Sequence, residues 1–328
     1  MTGRQENFDP RVARSLSDWT GTAKLLCCRV APSGQFVVAG GIDHTIHRWE
    51  IDTGNRTALV AHNNWVRTLS FNPDGTTLHS GAYDGCWIAW DLTGESPRIR
   101  QSVQAHSGWL RSLAVSHDGQ RVVTCGNDRL VKVWSATNGC LIKTLSGHPH
   151  IPYCVQFVPG TCDVVSGDIV GNIFHWTDQS DIPARKFDLS EICSHVGDLA
   201  PFGGIIHLTF SPCGKKITAA GLHKVSNAPA GNRRAVAVSF NWETAEKLPS
   251  QECLRKDLDA TMWRAIYHPA GTLIGIVEKE IGFWNPGETD VFHLLETPYP
   301  IFDCDLHPNQ TDLYTAHFDG HVRGFRLA

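Results

Sequence analysis

The stretch "GAYDGCWIAWDLTG" at residues 81–94 places a short alternating run between two turn signals. Asp84 begins the first Asp-Gly turn, and Trp90 follows it six residues later, directly before Asp91. A Thr-Gly pair then closes the stretch. Alternating apolar residues bounded by such turn residues predict a β-strand between two hairpin connections. The stretch decides the fold because it recurs.

The same Asp-x5-Trp spacing joins Asp43 to Trp49 and Asp128 to Trp134. A hairpin signal rich in Pro, Asp or Gly precedes each copy, and signals of this kind recur through the whole chain. The seven signals begin at Pro32, Pro73, His117, Pro159, Pro212, Pro269 and Pro308. Their spacing is near 40 residues, with two longer intervals around the fifth unit. Short strands repeated with this period predict the blades of a β-propeller.

We therefore predict an all-β chain in which residues 1–328 form a single closed seven-bladed β-propeller with four-stranded antiparallel blades. The last blade has sequence for only three strands, whereas the segment at 11–16 has no neighbour of its own. An N-terminal strand within residues 1–18 is expected to complete the last blade and close the ring. Insertions near 187–204 and 222–234 are expected to enlarge the fifth blade. A closed ring favours a monomer.

The composition of the chain limits the classes of partner and site that are expected. The net charge is −4, 41% of residues are hydrophobic and no segment has the apolar length of a membrane helix or signal peptide. Nucleic acid and membrane partners are therefore not expected, and the predicted location is cytoplasmic, with the nucleus left open. The 11 cysteines include no C-x-x-C pair. They are interpreted as reduced thiols, with no metal site and no cofactor.

The repeats resemble those of the WD40 family, named for the pair found here at Trp90 and Asp91. The resemblance covers essentially the whole chain. It implies a structural tetrad of His, Ser or Thr, Asp and Trp in each complete blade, in which every buried polar group is satisfied. The second and third blades match this tetrad fully, with His62, Ser80, Asp84 and Trp90 in one and His106, Thr124, Asp128 and Trp134 in the other.

Other blades depart from the tetrad. The fourth has His148, Ser166 and Trp176, but Val170 stands where the aspartate is expected. The first and seventh have the aspartate without the histidine, the fifth has Phe240 in place of Trp, and the sixth has only Trp284. We expect packing between blades to carry the stability that these tetrads do not.

An ungapped alignment of the first strands assigns one residue of each blade to the rim of the central channel. These positions are Leu26, Arg67, Arg111, Tyr153, Ile206, Trp263 and Phe302. Trp65 and Trp109 precede two of them, and Tyr83, Asn127 and Phe318 are expected beside them from turns. Clustered Trp, Tyr and Arg are typical of binding hot spots, but Trp65 and Trp109 could also simply cover the channel.

The resemblance implies a non-catalytic scaffold that holds a protein or peptide at this rim. Two adjacent arginines would suit an acidic or phosphorylated peptide. A second candidate patch contains His223, Lys224, Arg233 and Arg234 in the loops of the fifth blade. The alternative is a propeller enzyme or small-ligand binder that uses the channel or those loops, although the rim positions include no carboxylate and no histidine.

Overall fold

The structure is a computed structural model that describes residues 8–94, 96–189, 193–194, 202–223, 234–252 and 260–328. Its strands form seven antiparallel sheets, which are the blades of a β-propeller. The predicted fold class is therefore confirmed. A short 3-10 turn at Pro10–Val12 leads into β1 (Arg14–Thr20), which belongs to the seventh blade.

The first three blades each have four strands in chain order. Blade 1 contains β2 (Leu25–Val30), β3 (Phe36–Gly41), β4 (Thr45–Glu50) and β5 (Arg56–Val60). Blade 2 contains β6 (Val66–Phe71), β7 (Thr77–Ala82), β8 (Cys86–Asp91) and β9 (Arg98–Gln104). Blade 3 contains β10 (Leu110–Val115), β11 (Arg121–Gly126), β12 (Val131–Ser135) and β13 (Leu141–Leu145).

The remaining blades follow the same order, with one addition. Blade 4 contains β14 (Pro152–Phe157), β15 (Val164–Asp168), β16 (Asn172–Trp176) and β17 (Arg185–Asp188). Blade 5 contains β18 (Cys193–Ser194), β19 (Phe202–Phe210), β20 (Lys216–His223), β21 (Arg234–Asn241) and β22 (Gln251–Glu252). Blade 6 contains β23 (Met262–Tyr267), β24 (Leu273–Val277), β25 (Glu280–Trp284) and β26 (Val291–Glu296). Blade 7 contains β27 (Ile301–Leu306), β28 (Asp312–His317) and β29 (His321–Arg326).

The fifth blade differs from the predicted four strands because the short β18 pairs with the start of β19. This extra strand lies within the insertion expected near 187–204, so the insertion adds an inner strand to the sheet. Most of the insertion expected near 222–234, and the patch residues Lys224 and Arg233, lie outside the described residues.

The N-terminal strand closes the ring, as the sequence predicts. β1 pairs antiparallel with β29, from Arg14 opposite Arg326 to Thr20 opposite His321. Trp19 of this strand stacks on Tyr314, with 5.7 Å between the ring centroids. The closing strand runs about four residues further along the chain than the segment at 11–16, because Pro10–Val12 forms the short turn.

Burial explains why these residues form blades. All residues of β3 and β7 are buried, whereas most of the outer strand β9 is exposed. The core consists of seven apolar clusters, each shared by two neighbouring blades. The cluster that contains Leu25, Trp49 and Tyr314 joins blade 1 to blade 7. Packing across all seven junctions therefore continues around the ring, which a propeller requires.

No helix in the described part of the chain is long and apolar enough to cross a membrane.

Candidate functional site

Each rim position predicted from the sequence is the extra residue of a β-bulge. In blade 2, Val66 lies opposite Ala82 and Thr68 lies opposite Gly81, so Arg67 has no cross-strand partner. The same single-residue shift occurs between the first and second strands of the other six blades. A bulge redirects the side chain at which the ladder is interrupted. Seven bulges therefore present one side chain per blade at the same level, and all except Leu26 line one channel cavity.

The turn residues expected beside the rim are attached to it by backbone hydrogen bonds. Tyr83 N–H donates to Trp65 O at 3.0 Å, and Asn127 N–H donates to Trp109 O at 2.9 Å. Phe318 N–H makes the equivalent bond to Pro300 O at 2.8 Å. The turn between the second and third strands is thus held against the start of the first strand in three blades.

Aromatic rings form a continuous stack across blades 2 and 3. Tyr83 lies between Trp65 and Trp109, with ring centroids 5.8 Å from the first and 4.4 Å from the second. The Tyr83 and Trp109 rings are almost parallel, at 5°. Both tryptophans are 43% exposed. Each tryptophan therefore packs against Tyr83, while a large part of its ring is exposed to solvent.

Arg111 joins this stack to the next blade. Its guanidinium carbon lies 4.6 Å from the Trp109 ring centroid and 4.4 Å from that of Tyr153. Its Nε–H donates to Asn127 Oδ1 at 2.7 Å, and a terminal nitrogen lies 3.3 Å from the Tyr83 hydroxyl. These partners hold the cation in position but do not neutralise its charge. We call Trp65, Tyr83, Trp109, Arg111 and Tyr153 the rim cluster.

Three other predicted rim residues, Trp263, Phe302 and Phe318, form a separate group in blades 6 and 7, with Lys24 of blade 1 beside them. Trp263 meets Phe302 edge to face at 5.2 Å, and Phe302 lies 6.0 Å from Phe318. The ammonium group of Lys24 lies 3.7 Å above the Phe318 ring. The structure therefore divides the predicted rim residues into two groups on different sides of the channel mouth, with Arg67 lining the cavity near the first group.

Charged residues inside the channel were missed by the sequence analysis. Arg29, His207, Arg264 and Asp303 line the same cavity as the rim positions. They follow the bulged residues of their strands by one or three positions. Continuing the ungapped alignment by three residues would have revealed them, because side chains on the same strand recur at a fixed period.

The tetrads of blades 2 and 3 have nearly identical geometry. Trp90 Nε1–H donates to Ser80 Oγ at 2.9 Å, and His62 Nε2 lies 2.8 Å from the same oxygen. His62 Nδ1 lies 3.1 Å from Asp84 Oδ2. In blade 3, Trp134 Nε1–H donates to Thr124 Oγ1 at 2.9 Å, His106 Nε2 lies 2.8 Å from that oxygen, and His106 Nδ1 lies 2.8 Å from Asp128 Oδ1.

The electrostatics of the tetrads fit a structural role. Burial raises the pKa of Asp84, but the hydrogen bonds from His62 and from the Asn63 N–H outweigh burial and hold that pKa below its ordinary value. Burial lowers the pKa of His106 against the opposing effect of Asp128. The hydroxyl group of each tetrad is buried and bonded to two rings. It is therefore poorly placed to attack a substrate.

The prediction that the fourth blade lacks the aspartate is wrong. Asp168 supplies it, with Oδ2 3.2 Å from His148 Nδ1. Trp176 Nε1–H donates to Ser166 Oγ at 2.8 Å, which completes the tetrad. Asp168 follows Ser166 by two residues, whereas Asp84 follows Ser80 by four. Residues two apart on a strand face the same side, so the carboxylate reaches the histidine from the strand itself.

Histidines from other positions also bond in the first and seventh blades. His47 Nε2 lies 3.0 Å from Asp43 Oδ2 in blade 1. In blade 7, His317 Nε2 lies 2.7 Å from Thr315 Oγ1. Both histidines come from strands and not from the connection before the first strand, so a search at the family spacing does not find them. In the described residues, no group of three or more potential ligands could hold a metal ion.

Comparison with known proteins agrees with this fold. The family described as "WD domain, G-beta repeat" matches residues 13–50, 55–91 and 98–135. Each matched segment contains the outer strand of one blade followed by three strands of the next. The first segment begins before β1 and ends with β4, so the closing strand is counted as part of the first repeat.

The curated relatives are WD repeat proteins. An uncharacterized WD repeat-containing protein of Schizosaccharomyces pombe is 22% identical over 193 residues, which cover 56% of this chain and 50% of the relative. Protein groucho of Drosophila melanogaster is 23% identical, covering 55% of this chain and 26% of its own length. WD repeat-containing protein 18 of Mus musculus is 32% identical, covering 36% and 30%.

The chain is therefore a seven-bladed β-propeller in which three segments match the WD40 repeat, and the resemblance inferred from the sequence is confirmed in those segments. The aligned segment spans half or less of each of these relatives. WD40 propellers generally bind other proteins and are generally not catalytic.

Proposed function

We propose that this propeller is a non-catalytic scaffold that binds a protein segment at the rim cluster. The observation that carries the proposal is the stack of Trp65, Tyr83 and Trp109 beside Arg111. Aromatic residues and arginine contribute most to binding hot spots, because they bury a large area with little loss of side-chain freedom. A stack that is already ordered lowers this entropic cost further.

The charges favour an acidic or phosphorylated segment as the partner. Arg111 has aromatic and amide partners but no carboxylate among the described residues, and Arg67 lies in the adjacent blade. A guanidinium group that is neutralised only by π faces remains available for a carboxylate or phosphate. The chain itself has a net charge of −4, so the preference for anions would be confined to the channel mouth. A nucleic acid partner is not proposed.

The test compares single rim variants with a matched surface variant. Trp109→Ala and Trp65→Ala are expected to weaken partner binding by about thirtyfold or more, corresponding to a hot-spot loss of about 2 kcal/mol. Ile142→Ala serves as the control, because Ile142 is 49% exposed on the outer strand of blade 3. Affinity would be measured by surface plasmon resonance with a partner captured from lysate. Equal binding by all variants would refute a rim site.

The preference for anions has its own test. Peptide pairs that differ only by phosphorylation would be measured by fluorescence anisotropy against wild type, Arg111→Lys and Arg111→Gln. We expect tighter binding of the phosphorylated member, a partial loss with lysine and a larger loss with glutamine, because lysine keeps the charge but not the planar fork. Equal affinity for both members of every pair would remove the preference while leaving the scaffold proposal intact.

A small-ligand function is the second candidate, because a cavity of about 490 Å³ lies between blades 5 and 6. Ser239 and Tyr267 line it, and both hydroxyl groups converge on Thr218 within 2.7 Å. Thermal-shift screening with small polar compounds would test it, with Tyr267→Phe as the diagnostic variant. A hit that this substitution does not weaken would place the ligand elsewhere.

The remaining features of the proposal follow from composition and fold. The nine cysteines whose side chains are described are all free, which favours a reducing compartment such as the cytoplasm. A ring closed by β1 leaves short edges, which favours a monomer. Sedimentation analysis of the purified chain would test the monomer.

A further inference from the structure

Below the rim, the channel contains a small cavity of about 40 Å³. It is lined by charged and polar side chains from all seven blades, which include Arg29, Arg67, Arg111, His207, Arg264 and Asp303. This space is comparable to a few water molecules or one small ion. Arg111 and Tyr153 of the rim cluster line this cavity as well, whereas Trp65, Tyr83 and Trp109 do not.

Several of the hydrogen-bond donors that line this cavity have no acceptor among the described residues. Neither ring nitrogen of His207 makes a hydrogen bond of normal geometry, although the side chain is 91% buried and the Ala265 carbonyl group is nearby. Trp263 Nε1 is also buried without a hydrogen-bond acceptor. Arg264 Nε makes no hydrogen bond of normal geometry, but it lies 3.3 Å from Asp303 Oδ1 in an ion pair. Arg67 makes no hydrogen bond or ion pair with any described residue. Buried polar groups are rarely left in this condition without a bound ion or water.

The carboxylates of the channel, in contrast, are already engaged. Asp303 Oδ2 accepts from Arg29 at 2.7 Å and from the Cys28 N–H at 3.1 Å, and Oδ1 accepts from the Cys304 N–H at 2.9 Å. Asp305 Oδ2 accepts from the Val30 N–H at 2.9 Å. These bonds join the first strand of blade 7 to that of blade 1. Asp303 also forms an ion pair with Arg264 of blade 6, with 3.3 Å between Oδ1 and Nε. The two acidic groups are thus engaged in blades 6, 7 and 1, and Arg67, His207 and Trp263 remain without an acceptor.

The charges around the cavity also favour the binding of an anion. Four guanidinium groups, those of Arg29, Arg67, Arg111 and Arg264, line the cavity, whereas only Asp303 and the nearby Asp305 oppose them. Burial lowers the pKa of His207 well below its ordinary value, and the neighbouring arginines lower it further. The histidine is therefore neutral at pH 7 and adds a donor without adding charge. The channel thus carries an excess of positive charge together with unused donors.

We propose that this channel cavity is a binding site for a small oxyanion, a phosphate, sulfate or carboxylate group, held by Arg67, His207 and Arg264. The oxygens of such a group would accept from the unused donors, and its charge would offset the excess of guanidinium groups. Water could fill the same space but would leave that excess uncompensated. Because Arg67 and Arg111 also belong to the surface proposed for a protein segment, the inference rests on the proposed function where the oxyanion is carried by a partner, whereas a free anion would bind without one.

The experiment is a calorimetric titration of the whole chain with sodium phosphate or sodium sulfate, in chloride buffer at constant ionic strength. We expect one site per chain, with binding weakened about tenfold or more by Arg67→Gln, because the variant loses a hydrogen bond between two charged groups. Because Arg67 has no described partner, this variant should melt like wild type in chloride. Arg98→Gln on the outer strand β9 is the matched control and should bind as wild type does.

A second arm separates the two sources of the oxyanion. N-acetyl phosphoserine amide, titrated in the same way, represents a phosphate carried by a partner. Binding of inorganic phosphate alone would indicate a free anion, and binding of the phosphoserine probe alone would indicate a partner side chain; either supports the site if Arg67→Gln weakens it. Heats no larger than those of added chloride for every probe, or binding that Arg67→Gln leaves unchanged, would overturn the proposal.

Discussion

Replacing Asp168 by alanine should destabilise the propeller strongly, because the side chain of Asp168 holds the turn of blade 4 together. The carboxylate is fully buried and accepts four hydrogen bonds. The donors are His148 Nδ1 at 3.2 Å, Val170 N at 3.1 Å, Asn172 N at 2.9 Å and Asn172 Nδ2 at 2.8 Å. Alanine would leave all four donors buried without an acceptor.

The magnitude follows from those donors. Breaking a buried charged network by removing one partner costs about 3–5 kcal/mol. Unfolding entropy is about 2.1 cal/mol/K per residue, so a chain of 328 residues loses roughly 1.5 °C of Tm per kcal/mol. Asp168→Ala should therefore lower the Tm by about 4–8 °C. Circular dichroism melts and urea unfolding at pH 7 would measure the Tm and the free energy of unfolding.

Asp168→Asn is the matched control. The amide oxygen can still accept from the backbone N–H groups of Val170 and Asn172. Only the negative charge and the two bonds to the other carboxylate oxygen, from His148 and from the Asn172 side chain, are affected. We expect a loss of about 1–2 kcal/mol, between wild type and alanine. An alanine variant that melts within 1 °C of wild type, on the same scale of about 1.5 °C per kcal/mol, would refute the assignment of Asp168 to the tetrad.

Two further predictions concern closure and pH. Deleting residues 1–20 removes β1 and the Trp19–Tyr314 stack, so the Tm should fall by about 10 °C or more, and an unchanged melting curve would contradict closure by β1. Burial lowers the pKa of His79 and His317 from 6.5 to about 4, so the unfolded chain binds protons that the folded chain does not. The stability contributed by each neutral ring is complete near pH 7 and is lost as the pH falls from 6.5 toward 4. The free energy of unfolding by urea should thus be lower at pH 5 than at pH 7 by about 2 kcal/mol per histidine, a difference that His317→Gln should reduce.

The architecture could be predicted from the sequence because it depends on local signals. Pro, Asp and Gly at the turns and alternation in the strands are short-range features that repeat in every blade. The closing strand was also predictable, because the segment at 11–16 precedes the first blade and has no neighbouring strand of its own. Its bounds were not, since Pro10 starts a short turn and the paired strand begins at Arg14.

The candidate site was predictable only in part, for two physical reasons. The alignment found the level of the rim, but the bulges that turn those side chains toward the channel depend on pairing with the second strand and leave no residue signature. The tetrad of blade 4 was missed because Asp168 uses the strand period of two instead of the turn spacing. The channel charges were missed because Asp303 meets Arg29 across a gap of 274 residues, which no local pattern reveals.

The closing strand also sets an order of events during synthesis. Arg14 pairs with Arg326, so one partner emerges from the ribosome more than 300 residues before the other. At 5–20 residues per second, about 15–60 s separate the two. Blades 1 to 6 can form in this interval, but the β1 segment has no partner until β29 has been synthesised. During that time the unpaired segment is available to chaperones or to another nascent chain, and premature termination before His321 would leave the ring permanently open.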